Sequence, residues 1–163
     1  MSHQRFSPFI QSLLGGLLAG LSLSEGNSFI MPIGIGFLWS STTMPSSGFL
    51  WGLVAILVSH RWLLYLHPLS WVGVPSLLSL PLVIGIWICC GFAGGVLVGA
   101  WSYLANSLTS ISCRNKSFKR QVLYGILLSV VWGLAEVCLA QFPFFWIGVG
   151  SSVLPGDIWL AGL

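Results

Sequence analysis

Glu136 is the ionisable residue in this sequence with the clearest opening for chemistry. It lies in an apolar run from Gln121 to Leu139, about 15 residues and so about 22 Å from the basic end of that run. If the run spans a membrane, the carboxyl falls in the outer half of the bilayer. An ionisable side chain there is costly and marks a functional position by default. The plainer alternative is a carboxyl hydrated at the interface. Arg61 sits at a matching depth, about 12 residues into the run Phe49–Leu66 and about 18 Å from its inner end. Arg61 and Glu136 are expected to face the bundle interior and pair, or jointly to line an outward-opening polar cavity.

Other reactive side chains point to less. His60 and His67 would share one helical face, but Pro68 ends the helix beside them. Two histidines do not make a metal site without further ligands, so no metal is expected, and both read as interface histidines. Cys89, Cys90, Cys113 and Cys138 form neither a CxxC nor a Cys/His pattern. In apolar runs they act as small hydrophobes. There is no Ser-His-Asp set, nucleotide loop or HExxH. Nor is any hydrophilic segment long enough for a soluble domain. The chain by itself carries no catalytic constellation and implies no cofactor.

The elements that position these residues are membrane helices. Of 163 residues 56% are hydrophobic and only 6% charged, with a mean hydropathy of +0.94, against about 25% charged in a soluble domain. So few charges cannot cover a water-soluble globule. The reading is a single all-α transmembrane domain over 1–163, with about five transmembrane helices plus the start of a sixth. The first span runs from Phe6 to Ser24, with a turn at Glu25-Gly26-Asn27. The second, Ser28 to about Met44, is short and carries Pro32; it spans a thinned bilayer or is partly re-entrant. Pro45-Ser46-Ser47-Gly48 reads as a turn before the third span, Phe49–Leu66. His67–Pro75 is a loop held at the membrane surface by Trp71 and Val72. The uncharged stretch Ser76–Ile111 is too long for one span and too short for two, so one helix over Pro81–Ser107 with irregular ends is predicted. The fifth span covers Gln121–Leu139, and the tail Ala140–Leu163 begins another helix.

Arg5 and the cluster Arg114, Lys116, Lys119 and Arg120 fall on one side of this arrangement. The positive-inside rule makes that side cytoplasmic, with the C-terminus on the periplasmic side. Apolar flanks on both sides of the cluster argue against nucleic acid. Gly16 and Gly20, and Gly91, Gly95 and Gly99, recur every four residues. This small-xxx-small spacing lets helix backbones approach closely in lipid.

The tail carries a more specific pattern. Trp132, Glu136, Phe142-Pro143, Trp146, Gly148, Gly150 and Ser151 resemble a landmark of bacterial apolipoprotein N-acyltransferases, with cyanobacterial members most similar in wording. Trp62, Tyr65 and Gly73-Val74-Pro75 resemble that family's segment between its third and fourth spans, and GGLLAGLSLS its first span. The resemblance implies a membrane bundle that carries a periplasmic nitrilase-like domain with a Glu-Lys-Cys triad. In such an enzyme the cysteine takes an acyl chain from phospholipid and passes it to the N-terminal diacylglyceryl-cysteine of a lipoprotein. No triad residue has a counterpart here, so no catalytic residue is assigned. Trp71, Glu136, Pro143 and Trp146, with Arg61, are the lipid-rim residues the resemblance and the span positions single out. The expectation is a truncated or split N-acyltransferase of the bacterial inner membrane, inactive alone, with phospholipid, lipoprotein substrate and a separately encoded nitrilase-like domain as partners. The rivals are a small standalone transport or assembly subunit and a degenerate gene product.

Overall fold

A computed structural model describes residues 7–25, 27, 29–41, 44–113 and 118–139. They form five α-helices: α1 (Pro8–Glu25), α2 (Met31–Ser41), α3 (Pro45–Ser59), α4 (Ser76–Cys113) and α5 (Phe118–Leu139). Two 3-10 helices, Arg61–Leu66 and Leu69–Val72, connect α3 to α4. The fold is all-α, with no strand among the described residues.

Prolines start three of the helices. Pro8 and Pro45 are the first residues of α1 and α3, and Pro32 is the second of α2. There the missing N–H has no intrahelical partner to lose and the fixed φ suits the helix. Pro45-Ser46-Ser47-Gly48 is therefore a helix start and not a turn. Its small residues have another use, because Ser47 and Gly48 are buried against neighbouring helices. The connection after α3 keeps its loop character, with a cis peptide at His67-Pro68 and Gly73 at φ +84°, a backbone region glycine enters freely. Ser79 anchors it. The Leu69 N–H donates to Ser79 Oγ at 2.7 Å, and His67 Nδ1 lies 2.9 Å from the same oxygen.

α4 is longer than predicted, with 38 residues or about 57 Å. At its C-terminal end the hydroxyls of Ser107, Thr109 and Ser110 donate to carbonyls three or four residues back in their own helix. The polar stretch thereby satisfies itself without leaving the helix. Pro81 lies inside α4, past its first turn, so the Leu77 carbonyl has no N–H of residue 81 to accept from.

Two stretches, Ser76–Ser110 and Gln121–Cys138, are long and apolar enough to cross a membrane. Only 6% of the α5 stretch is buried. Its Leu123, Leu134 and Val137 are each at least 60% exposed. Such a surface suits hydrocarbon and not water. Among the described residues the other helices are too short or too polar to count as such stretches. α1 is diluted by Gln11, Ser12, Ser22, Ser24 and Glu25, and α2, with 11 residues, covers about 16 Å.

α3 is the centre of the packing, with α1 on one side and α4 on the other. A Cβ on Gly16 would meet Trp51 and Val54, and one on Gly20 would meet Ala55 and Val58, so α1 and α3 run parallel. Gly48 faces Ser102, Gly52 faces Gly94 and Val98, and Gly91 faces Leu57, so α3 and α4 run antiparallel. Gly95 and Gly99 close on Phe49 of α3. α2 returns along α1, where Ser12 Oγ donates to Ser41 Oγ at 3.1 Å. The helices thus alternate in direction, and the ends of α1, α3 and α5 share one end of the bundle with the start of α4.

Candidate functional site

Three tryptophans stitch the helices together. The indole N–H of Trp51 donates to Gly34 O at 3.0 Å, that of Trp87 to Leu57 O at 2.8 Å and that of Trp101 to Leu128 O at 3.2 Å. Each bond joins two helices through a carbonyl with a second lone pair to spare. In lipid, such bonds satisfy an indole that has no water to turn to. Trp101 is also the hub of an aromatic cluster. Trp39 of α2 lies 5.5 Å from it, and Trp132 of α5 meets it edge-on at 5.3 Å.

Beside this cluster residues of all five helices line a half-open cavity of about 690 Å³. That falls within the roughly 300–1,000 Å³ of small-molecule sites. Trp51, Gly52 and Ala55 of α3 form one wall, and Gly94 to Leu104 of α4 the next. Val131, Trp132 and Ala135 of α5 form a third, and Leu23 and Met31 complete it. His60 and Glu136 are its ionisable lining residues. A largely apolar cavity with a few polar groups is suited to a hydrocarbon chain.

Glu136 accepts a 2.7 Å hydrogen bond from Trp132 Nε1, one turn earlier on α5. That bond fixes the carboxylate on the same wall as the Trp101–Trp132 contact. His60 is 1% exposed and its Nδ1 lies 3.0 Å from Ser59 Oγ. It is a buried cavity residue in the structure, whereas the sequence pointed to a histidine at the interface.

Arg61 begins the first 3-10 helix and pairs with Glu25, the last residue of α1. Glu25, read from sequence only as part of a turn, holds the place expected for Glu136. The parallel course of α1 and α3 brings these two helix ends together, while Glu136 faces the cavity on α5. The Arg61 and Glu25 side chains are 49% and 58% exposed, so the pair contributes little to stability, about 0–1 kcal/mol. Neither side chain lines the cavity, but the pair lies at the same end of the bundle as the lining residues His60 and Leu23.

Trp71 lies in the second 3-10 helix and is 73% exposed. With Tyr65, Val72 and Leu77 it makes an apolar, aromatic cap on the connection between α3 and α4. Pro143 and Trp146 lie outside the described residues. Among those described, no group of three His, Cys, Asp or Glu could hold a metal ion.

Comparison with known proteins matches this chain over its full length. It is 52% identical over 163 residues to the apolipoprotein N-acyltransferase of Prochlorococcus marinus strain SARG. Identity is 47% to that of P. marinus strain MIT 9313 and 45% to that of Parasynechococcus marenigrum strain WH8102. The matches to the two P. marinus proteins cover all of this chain. The chain spans about a third of the length of these curated relatives, 33 to 34%. No family model and no solved structure matches it. On this homology the chain belongs to the apolipoprotein N-acyltransferase family and corresponds to the N-terminal third of its relatives.

Proposed function

We propose that this chain is the membrane platform of an apolipoprotein N-acyltransferase, and that its cavity receives an acyl chain of the phospholipid donor. The observation that carries this reading is the 52% identity over the whole chain to a protein of that name. The alternating helix directions support a multi-pass arrangement in which α1, α3, α4 and α5 cross the bilayer. α3 and the 3-10 helix after it together cover about 34 Å, enough for a span of about 30 Å. Lys119, at the start of α5, marks the cytoplasmic end, and the Trp71 cap and the Arg61–Glu25 pair lie at the periplasmic end. The whole chain then forms one transmembrane domain.

The covalent chemistry belongs to a nitrilase-like domain, in the same or a separate polypeptide. Its cysteine thiolate attacks the phospholipid ester, forming a thioester as the lysophospholipid leaves. The lipoprotein α-amine then displaces the thiolate and forms the amide. This chain's share is positioning. It holds the donor's hydrocarbon against the apolar walls, with Glu136 and Trp132 ordering one wall and Trp71 on the rim. By this reading the chain is inactive alone.

A chimera tests it. The first third of the P. marinus SARG protein is replaced by this chain, and acylation of a diacylglyceryl-cysteine peptide is followed by mass spectrometry. The chimera adds one acyl chain, and this chain alone adds none. A chimera that reaches the membrane folded yet transfers nothing, or turnover by this chain alone, contradicts the proposal.

A further inference from the structure

The Arg61–Glu25 pair has an unusual location for a surface ion pair. Glu25 and Arg61 stand outside the lining of the apolar cavity, on the surface at the same end of the bundle as its lining residues Leu23 and His60. Each partner is about half exposed, so the guanidinium keeps donors free for another acceptor. A ligand with its hydrocarbon in the cavity would bring its polar end to this end of the bundle. There it meets a planar cation whose fork matches phosphate oxygens, held meanwhile by a carboxylate on another helix.

We propose that Arg61 is the anchor for the phosphodiester of an anionic phospholipid whose chain occupies the cavity, and that Glu25 is an internal competitor for the same guanidinium. Binding exchanges one acidic partner of Arg61 for another: the phosphate enters and Glu25 turns to water. The pair then keeps Arg61 ordered in the empty site and gives way when lipid arrives. This rests on the reading that the cavity takes hydrocarbon.

The two partners predict opposite signs, which a purely structural clasp does not. The purified full chain is delipidated in detergent, and retention of phosphatidylglycerol is measured by native mass spectrometry. Uncharged diacylglycerol and water-soluble glycerophosphoglycerol are run beside it. Arg61→Gln lowers phosphatidylglycerol retention about ten-fold or more, the scale of a lost charge-assisted bond. Glu25→Gln raises it about two- to five-fold, because the competing pair is worth at most about one such factor. Arg61→Lys, which keeps the charge, retains the lipid better than Arg61→Gln and covers the case in which the latter fails to fold. Diacylglycerol binds all variants alike. If Glu25→Gln weakens retention as Arg61→Gln does, or if Arg61→Gln and Arg61→Lys both leave it unchanged, the anchor is refuted. If glycerophosphoglycerol displaces the lipid at equal concentration, the site takes free phosphodiester and the lipid assignment falls. Failure of diacylglycerol to bind at all overturns the cavity reading itself, separately from the role of Arg61.

Discussion

Gly52→Ala tests whether the α3–α4 seam is set by backbone approach. An added Cβ at Gly52 would stand 2.5 Å from Gly94 O and 2.7 Å from Val98 Cγ2. The carbonyl belongs to a helix and cannot swing aside, so α3 and α4 must separate. Overpacking of this kind costs about 1–3 kcal/mol. The same substitution gains about 1 kcal/mol of helix propensity. Gly125→Ala on α5 supplies the control, because nothing lies within 4 Å of its Cβ position. That variant receives the propensity gain alone. The difference between the two variants is therefore the steric cost, a factor of about 5–150 in the unfolding equilibrium. Unfolding in mixed micelles with rising dodecyl sulfate, followed by tryptophan emission, measures it. Equal stabilisation of both variants would refute the close-packed seam.

Trp101→Phe keeps an aromatic ring but removes the donor to Leu128 O and part of the buried indole, so α5 should loosen by at least about 0.5–1.5 kcal/mol, read as faster amide exchange along α5. Ser79→Ala leaves the Leu69 N–H buried without its acceptor, at about 1–3 kcal/mol, and exchange at Leu69 should accelerate accordingly. Glu136→Gln retains an acceptor for the Trp132 indole and should leave that residue's emission near native, whereas Glu136→Ala should shift it; identical spectra for both would argue against the 2.7 Å bond.

Much of this architecture is legible in the sequence, and the failures have physical causes. The glycine spacing on the first and fourth runs marks faces that do close on α3, because only a missing Cβ allows that approach. The prolines around His67–Pro75 mark the connection. Pro45-Ser46-Ser47-Gly48 misleads because small polar residues serve turns and tight helix seams equally well. The end of α4 misleads because serine and threonine can return their hydrogen bonds to their own helix. Arg61 had three acidic residues in the chain to choose from. Equal depth favoured Glu136, but depth says nothing about which helices are neighbours. The parallel placement of α1 beside α3 selects Glu25, and that placement emerges only from three-dimensional packing. The sequence also offered a polar cavity lined by Arg61 and Glu136; the one found is largely apolar and takes in Glu136 but not Arg61, because its walls come from five separate helices.

The proposed function stands or falls on hydrocarbon entering the cavity between the helices. The chain is reconstituted in vesicles of phosphatidylglycerol bearing a photoreactive diazirine on one acyl chain, and adducts are mapped by peptide mass spectrometry. Labelling is predicted at Ala55, Leu97 and Ala135, and Ala55→Trp should abolish it there while leaving outer-face labelling at Leu123 and Leu134 intact. Adducts confined to the outer face, unchanged by Ala55→Trp, would show that hydrocarbon does not enter the cavity.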